Sequence, residues 1–244
     1  MKNRNVSQTV ISKCVVLLSL LLLISCSARA EVIELDTPAD DVVIRGGNYG
    51  DTNYQSYDSL IVKNVSDLSY ARKSYIKFDV SMIAAQIAQA TLELTTIYSS
   101  GGNNHYDIDI KVYGLNDGVN GEPNWSESTL TWNNAPGNIV NSPENFQNAV
   151  LLGTIHVPGN TPAGTTLQLS TSQLVDFLNS DSNNFVTIML ASGTSVNGDV
   201  FMATKEHSKY PGPTLIVTTV PEPAMIGMLF CGGLLLRARF ERNK

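Results

Sequence analysis

The run HYDIDIKVYGL, His105 to Leu115, alternates with period two. Tyr106, Ile108, Ile110 and Val112 fall on one side, and Asp107, Asp109 and Lys111 on the other. That is the pattern of a strand with one face in a core and one toward water. Comparable runs recur along the chain. They predict strands at Val42–Arg45, Ser59–Lys63, Lys73–Val80, Thr91–Tyr98, Asp107–Tyr113, Val150–His156, Thr165–Leu169, Phe185–Ala191, Val200–Lys205 and Thr214–Val220. Between them lie GGNYGDTNYQS, SSGGNNH, NDGVNGEPN and PGNTPAGT. Such stretches turn the chain because Gly, Asn and Asp tolerate unusual dihedrals and Pro presets one. Helix signals are few. STSQLVDFLNS places Ser172 as N-cap with Leu174, Phe177 and Leu178 on one face, and SMIAAQIAQA has room for a turn or two. This many short strands without βαβ alternation predict an all-β fold, an antiparallel β-sandwich of one domain over residues 31–219.

The ends of the chain follow other rules. Lys2, Arg4 and Lys13 precede an apolar run from Val15 to Ile24, and Ala28-Arg29-Ala30 offers small residues at a cleavage site. Residues 1–30 therefore read as a secretory signal peptide, too short for a membrane span. Leu23-Ile24-Ser25-Cys26 also has the form of a lipobox, with Cys26 as the lipid-bearing residue. The three cysteines, Cys14, Cys26 and Cys231, all lie in the terminal segments. An exported body without cysteine has to be held by its core alone.

Charge narrows the partners. The whole chain carries 16 basic and 22 acidic residues. Four of the basic ones are in the leader, and four basic and two acidic lie beyond Val220. The body keeps eight basic and twenty acidic residues, a net charge of about −12. Nucleic acid is excluded as a partner, because binding phosphate needs a basic surface. A polyanion has to be met by a local cluster of those eight cations.

Three segments, in order, carry a resemblance: DDVVIRGGNYGDTNYQSYDSLIVKN from Asp40, YARKSYIKFDVS from Tyr70 and WSESTLTWNNAPG from Trp125, with VFMATKEHSKYPGPTLIV late in the chain. Together they resemble DNRLRE domains, also described as family-96 carbohydrate-binding modules. The resemblance implies a jelly-roll sandwich that binds polysaccharide, in some members uronic-acid polymers such as alginate.

Strand parity then suggests a site. Ile76 and Phe78 share one face of their strand, with Lys73, Tyr75 and Lys77 on the other. By the same rule Leu60 and Val62 point inward with Lys63 and Ile61 outward, and Val42 and Ile44 inward with Val43 and Arg45 outward. Arg45, Lys63, Lys73, Tyr75 and Lys77 are therefore expected on one exposed sheet face, with Lys205 joining them. Arginine binds carboxylate bidentately, lysine supplies a mobile charge, and a tyrosine ring packs on a sugar's apolar face. Lysines on exposed strands also serve solubility alone. Arg72 has core parity and is expected to pair with an acid. Leu130 and Trp132 share a parity that suggests burial, whereas Trp125 follows a proline in a loop and reads equally as structure or sugar platform. The loop Tyr49–Asp58 holds tyrosines and acids that suit a glycan or, less well, Ca²⁺.

Catalytic signals are thin. His105, His156 and His207 make no metal-ligand spacing, Asn197 breaks a nucleophile elbow around Ser195, and Asp107/Asp109 are acids of one exposed strand face. The expectation is a non-catalytic polysaccharide binder. A matrix or adhesion scaffold and a small polysaccharide lyase are the alternatives. Finally, Pro221-Glu222-Pro223 leads into the apolar run Ala224 to Leu236 and then Arg237, Arg239 and Arg242. Residues 220–244 are similar to a PEP-CTERM sorting signal, which implies recognition by an exosortase-type enzyme after transient residence in the membrane, and delivery to the cell surface or matrix.

Overall fold

The structure, a computed structural model, describes residues 30–99, 106–122 and 124–220. The leader with Cys26, the Pro221-Glu222-Pro223 triplet and the basic tail lie outside the described residues. No helix among the described residues is long and apolar enough to cross a membrane.

Period-two runs become strands wherever one parity is apolar. The strands are β1 (Val32–Leu35), β2 (Asp40–Arg45), β3 (Ser59–Val62), β4 (Arg72–Asp79), β5 (Ile87–Ser99), β6 (Ile108–Leu115), β7 (Ala149–Val157), β8 (Thr166–Leu169), β9 (Phe185–Ser192), β10 (Val200–Ala203) and β11 (Thr214–Thr219). One sheet runs β1-β11-β5-β10-β3, with β8 also paired to β5. The other runs β2-β4-β9-β6-β7. All strand pairs are antiparallel. The sandwich expected from sequence is the fold observed. The strand β1 was not foreseen, since VIEL is too short to show a period.

The one α-helix among the described residues, α1 (Ser172–Asn179), buries Leu174, Phe177 and Leu178 as their spacing predicts. Its cap is Thr171 rather than the expected Ser172. Thr171 has extended backbone, and its Oγ1 accepts from Leu174 N at 3.1 Å. The stretch SMIAAQIAQA forms turns and then enters β5.

The main core lies between the sheets. Ile76 and Phe78 of β4 meet Leu92 and Leu94 of β5 there, with Ile108, Ile110 and Val112 of β6 and Leu215 and Val217 of β11. A second core lies on the opposite face of the β2-β4-β9 sheet. There Val42, Ile44, Tyr75 and Met189 are covered by Trp125, Leu130 and Trp132. These three belong to the long connection from β6 to β7, which folds back over the sheet as a cap.

The indole N–H groups under the cap are matched to partners, as burial requires. Trp125 Nε1 donates to Thr187 Oγ1 at 2.9 Å, and Trp132 Nε1 donates to the Val140 carbonyl at 3.0 Å. Both tryptophans are thus structural, and the sugar-platform option for Trp125 falls with its burial. An aromatic side chain that buries about 150–250 Å² gains roughly 4–6 kcal/mol at ~25 cal/mol/Å². Trp125, Trp132 and Tyr75 together make the cap a fixed layer.

The cap overturns the expected exposed face. Lys73 and Tyr75 have no exposed surface and Lys77 retains 6 %. The β2–β4 register pairs Val42 with Tyr75 and Ile44 with Lys73, so Val42 and Ile44 face the cap rather than the inter-sheet core. Ile61, expected outward, is buried with Val43 and Tyr54.

Candidate functional site

Of the expected site residues, Lys73, Tyr75 and Lys77 share a strand face as foreseen, but beneath the cap. The Lys73 ammonium donates to Asn138 Oδ1 at 2.8 Å and to the Asn145 carbonyl at 2.7 Å, with Phe146 and Trp132 rings at 4.4 and 4.9 Å. Burial brings its pKa down to about 7. Tyr75 donates to the Pro136 carbonyl at 3.0 Å and packs edge-on against Trp125 and Phe146. Burial raises its phenol well above the usual range. Lys77 pairs with Asp40 at 2.6 Å and donates to the Trp125 carbonyl. None of the three can touch a polymer while the cap is in place. They anchor the cap instead.

Lys205 lies elsewhere too, beside Asp41 near the start of β2. Its ammonium meets Glu127, Glu206 at 2.8 Å and Asp41 at 3.4 Å. Burial works to lower its pKa, but the bonds to Glu127 and Glu206 and the Asp41 charge outweigh this and raise it. Burial of Asp41 lifts that carboxyl to about 6 against the pull of Lys205. The carboxylates of Asp41, Glu127 and Glu206 approach within 4.8 Å of one another, a spacing that suits a cation. Here the lysine ammonium is that cation. In the loop expected to suit Ca²⁺, the Asp51 carboxylate accepts from Asn133 Nδ2 at 2.8 Å.

The remaining expected site cations, Arg45 and Lys63, lie at one corner with Arg72. Edge strand β3 meets β4 there, and Ser74 Oγ bonds both the N–H and the carbonyl of Ile61 at 2.9 and 3.0 Å. Arg45 is the cross-strand partner of Arg72. Just beyond β3, Lys63 exchanges two backbone hydrogen bonds with Arg72, at 3.0 and 3.1 Å. Side chains from three adjacent backbones therefore bring Arg45, Lys63 and Arg72 together, three of the body's eight cations.

Local turns hold this corner. Asp67 caps the turn Leu68–Tyr70 by accepting from Ser69 N. The preceding loop turns at Gly47–Tyr49, where Gly47 has φ +56 and a Cβ would come within 2.5 Å of Ser69 N. Only glycine allows both the dihedral and the approach. With the turns in register, Arg45 Nε donates to the Ser69 carbonyl at 2.6 Å and the guanidinium stacks 3.5 Å above the Tyr49 ring. Tyr70 flanks it at 5.6 Å, and Arg72 Nη1 donates to the Tyr70 carbonyl.

Tyrosines surround the cations. Tyr49, Tyr57, Tyr70 and Tyr98 are all exposed, at 40–54 %. Tyr57 stands edge-on to Tyr54, and Tyr98 stacks on Phe201 at 4.1 Å. Burial lowers the Arg72 pKa first, and the charge of Arg45 lowers it further. Two guanidiniums that repel each other are poised for a shared anion. Asp199 pairs with Lys63 at 3.6 Å, and its charge pulls the Arg72 pKa back up. Arg72 makes no ion pair among the described residues, contrary to the expectation for its parity. Chemically, the corner offers carboxylate-binding forks between ring faces that suit the apolar side of a sugar.

Residues 34–147 match carbohydrate-binding module family 96. The matched stretch contains the whole arginine–tyrosine corner, Tyr98 included, and nearly all of the cap. The match supports carbohydrate binding as the general work of this sandwich. No curated protein matches the chain.

Of the residues at this corner, strand parity had singled out Arg45 and Lys63, and the loop Tyr49–Asp58 had been read as suited to a glycan, whereas Arg72 was expected to pair internally and Tyr70 and Tyr98 were not singled out. The signal was present. NYGDTNYQSYD and LSYARK both set tyrosines beside the segments that carry these cations.

Proposed function

We propose that the protein is an exported, non-catalytic binder of acidic polysaccharide, delivered to the cell surface or extracellular matrix. The polymer's carboxylates lie between Arg45, Arg72 and Lys63, and its sugar rings pack on Tyr49, Tyr57 and Tyr70. The observation that carries this is the cross-strand Arg45–Arg72 pair among exposed tyrosines, in a body that is otherwise strongly acidic. An acidic body has no general affinity for a polyanion, so affinity has to arise at this corner. The leader and the Pro221-Glu222-Pro223 tail support export and sorting by an exosortase-type enzyme.

Affinity electrophoresis in gels containing alginate or polygalacturonate tests the reading. Each bidentate arginine–carboxylate contact is worth about 1.5–3 kcal/mol. The Arg45→Ala/Arg72→Ala protein should lose retardation by at least tenfold, while Lys209→Ala should be retarded like wild type. Unchanged retardation of the double variant would refute the site. Failure of every acidic glycan to retard the wild type would favour a matrix scaffold. Release of unsaturated, ultraviolet-absorbing product would make the protein a lyase.

A further inference from the structure

The cap carries a second feature that the acidic-polymer reading does not use. Its outer surface holds a cavity of about 670 Å³, formed by the turns at 116–120, 133–138 and 147–148. That volume falls in the range of roughly 300–1,000 Å³ typical of small-molecule sites. Seven of its thirteen lining residues carry carboxamides. A carboxamide presents a donor pair and an acceptor side by side, which matches the vicinal hydroxyls of a sugar.

Two groups of amides play different parts. Asn133 and Asn134 are fixed by bonds to Asp51, to Thr129 and to Thr131. Asn116, Asn120, Gln147 and Asn148 are exposed, and their side chains make no hydrogen bond among the described residues. Their donors and acceptors therefore face the cavity's solvent. The floor is rigid. Gly137 has φ +72, and Asn148 is one of two non-glycine residues with positive φ among the described residues, at 54°. Asn116 N donates to the Asn148 carbonyl, and Gln147 N donates to the Gly137 carbonyl at 2.8 Å. Below the floor, Asn138 holds the Lys73 ammonium.

Charge chooses the ligand. No cation lines the cavity. Its one carboxylate, Asp117, accepts from both Ser182 N and Ser182 Oγ. A uronate would meet that negative charge with nothing to balance it, so the cavity favours an uncharged unit. We infer that this carboxamide-lined cavity is a second saccharide site, taking neutral, hydroxyl-rich sugar units by hydrogen bonding. It is independent of the arginine–tyrosine corner, although the two are joined through Asn133, whose N–H donates to the Gly50 carbonyl beside Tyr49.

The test is affinity electrophoresis of the full-length protein in gels of hydroxyethyl cellulose, laminarin or galactomannan, with alginate run in parallel. At least one neutral glycan should retard the wild type equally at low and high salt. The Asn116→Ala/Asn120→Ala/Gln147→Ala protein should lose that retardation at least fivefold and keep its alginate binding. Asn120→Asp/Gln147→Glu preserves shape while removing donors and should lose it likewise, which covers any folding defect in the triple variant. Arg45→Ala/Arg72→Ala should show the opposite pattern. The inference is overturned if no neutral glycan retards the wild type, if the amide variants are still retarded, or if the arginine variant loses neutral binding as well. Loss of alginate binding alone would leave this inference standing and bear only on the corner.

Discussion

Replacing Lys73 by methionine separates two placements of that side chain. Exposed on a sheet face, its ammonium would titrate near 10.5 and contribute little to stability. Under the cap it has no exposed surface, and burial lowers its pKa from 10.5 to about 7. At 1.36 kcal/mol per pKa unit, holding the charge costs the folded state roughly 5 kcal/mol. The sign follows from proton counts. Below pH 7 both folded and unfolded chains carry the proton, and the cost is complete. Between pH 7 and 10.5 the unfolded chain binds more protons than the folded one, so stability rises with pH. From pH 7 to pH 9 the wild type should gain about 2 kcal/mol from this residue.

Lys73→Met removes that titration and leaves every other group in place. It also leaves Asn138 Oδ1 without a donor, at about 1–3 kcal/mol, and removes the ring contacts with Phe146 and Trp132. Those losses do not depend on pH, so the difference between the two proteins isolates the lysine. Urea unfolding of both at pH 6, 7, 8 and 9 measures it. At pH 6 the methionine protein should be at least as stable as wild type, because an apolar replacement relieves the buried charge. The wild type should then gain on it by about 2 kcal/mol by pH 9. Parallel profiles, with a difference constant to within about 0.5 kcal/mol, would sink the argument and return Lys73 to an open sheet face.

Two further outcomes follow from the acidic surroundings. Lys205→Ala should lose about 3–5 kcal/mol at neutral pH, since Asp41, Glu127 and Glu206 are left without their ammonium. Urea midpoints should partly recover with millimolar Ca²⁺, or as pH falls towards 5 and Asp41, already held at about 6, takes up a proton. No recovery under either condition would mean the three carboxylates separate once the lysine is gone. Alginate retardation should pass through a maximum with ionic strength, because salt first screens the acidic body's repulsion over a Debye length of about 30 Å at 0.01 M and only later weakens the close arginine contacts. A steady fall from the lowest salt would show that the body's charge does not oppose the polymer.

Most of the fold was readable because period and turns repeat. Ten strands followed from alternation, and Leu174, Phe177 and Leu178 followed from helical spacing. The site was harder to read for a reason visible in RKSYIKFD. From Lys73 to Phe78 every residue of β4 is buried, because the sheet has a core on each face. Period two identifies a buried face only where the other face is wet. In β2 the same condition let Val42 and Ile44 be assigned to the wrong core. The cap itself has little regular structure, so its length gave no warning that WSESTLTWNNAPG would lie over a sheet. Its tryptophans were the available sign: two large rings in a polar segment need something to cover.

The cap also explains where the function can be. Of the body's eight cations, Lys73 and Lys77 are enclosed by it, Lys111 is paired with Glu144, and Lys205 neutralises three acids. Lys209 stacks near Tyr210. That leaves Arg45 and Arg72, with Lys63 paired to Asp199 beside them, at the corner where β3 meets β4. Under the proposed function, covering the basic face therefore confines acidic-polymer binding to a corner framed by tyrosines and leaves the cap's outer surface to amides that suit an uncharged sugar. A polysaccharide whose charged and neutral units alternate along one chain would engage both surfaces at once, and linking two weak sites in this way multiplies affinity without any new contact.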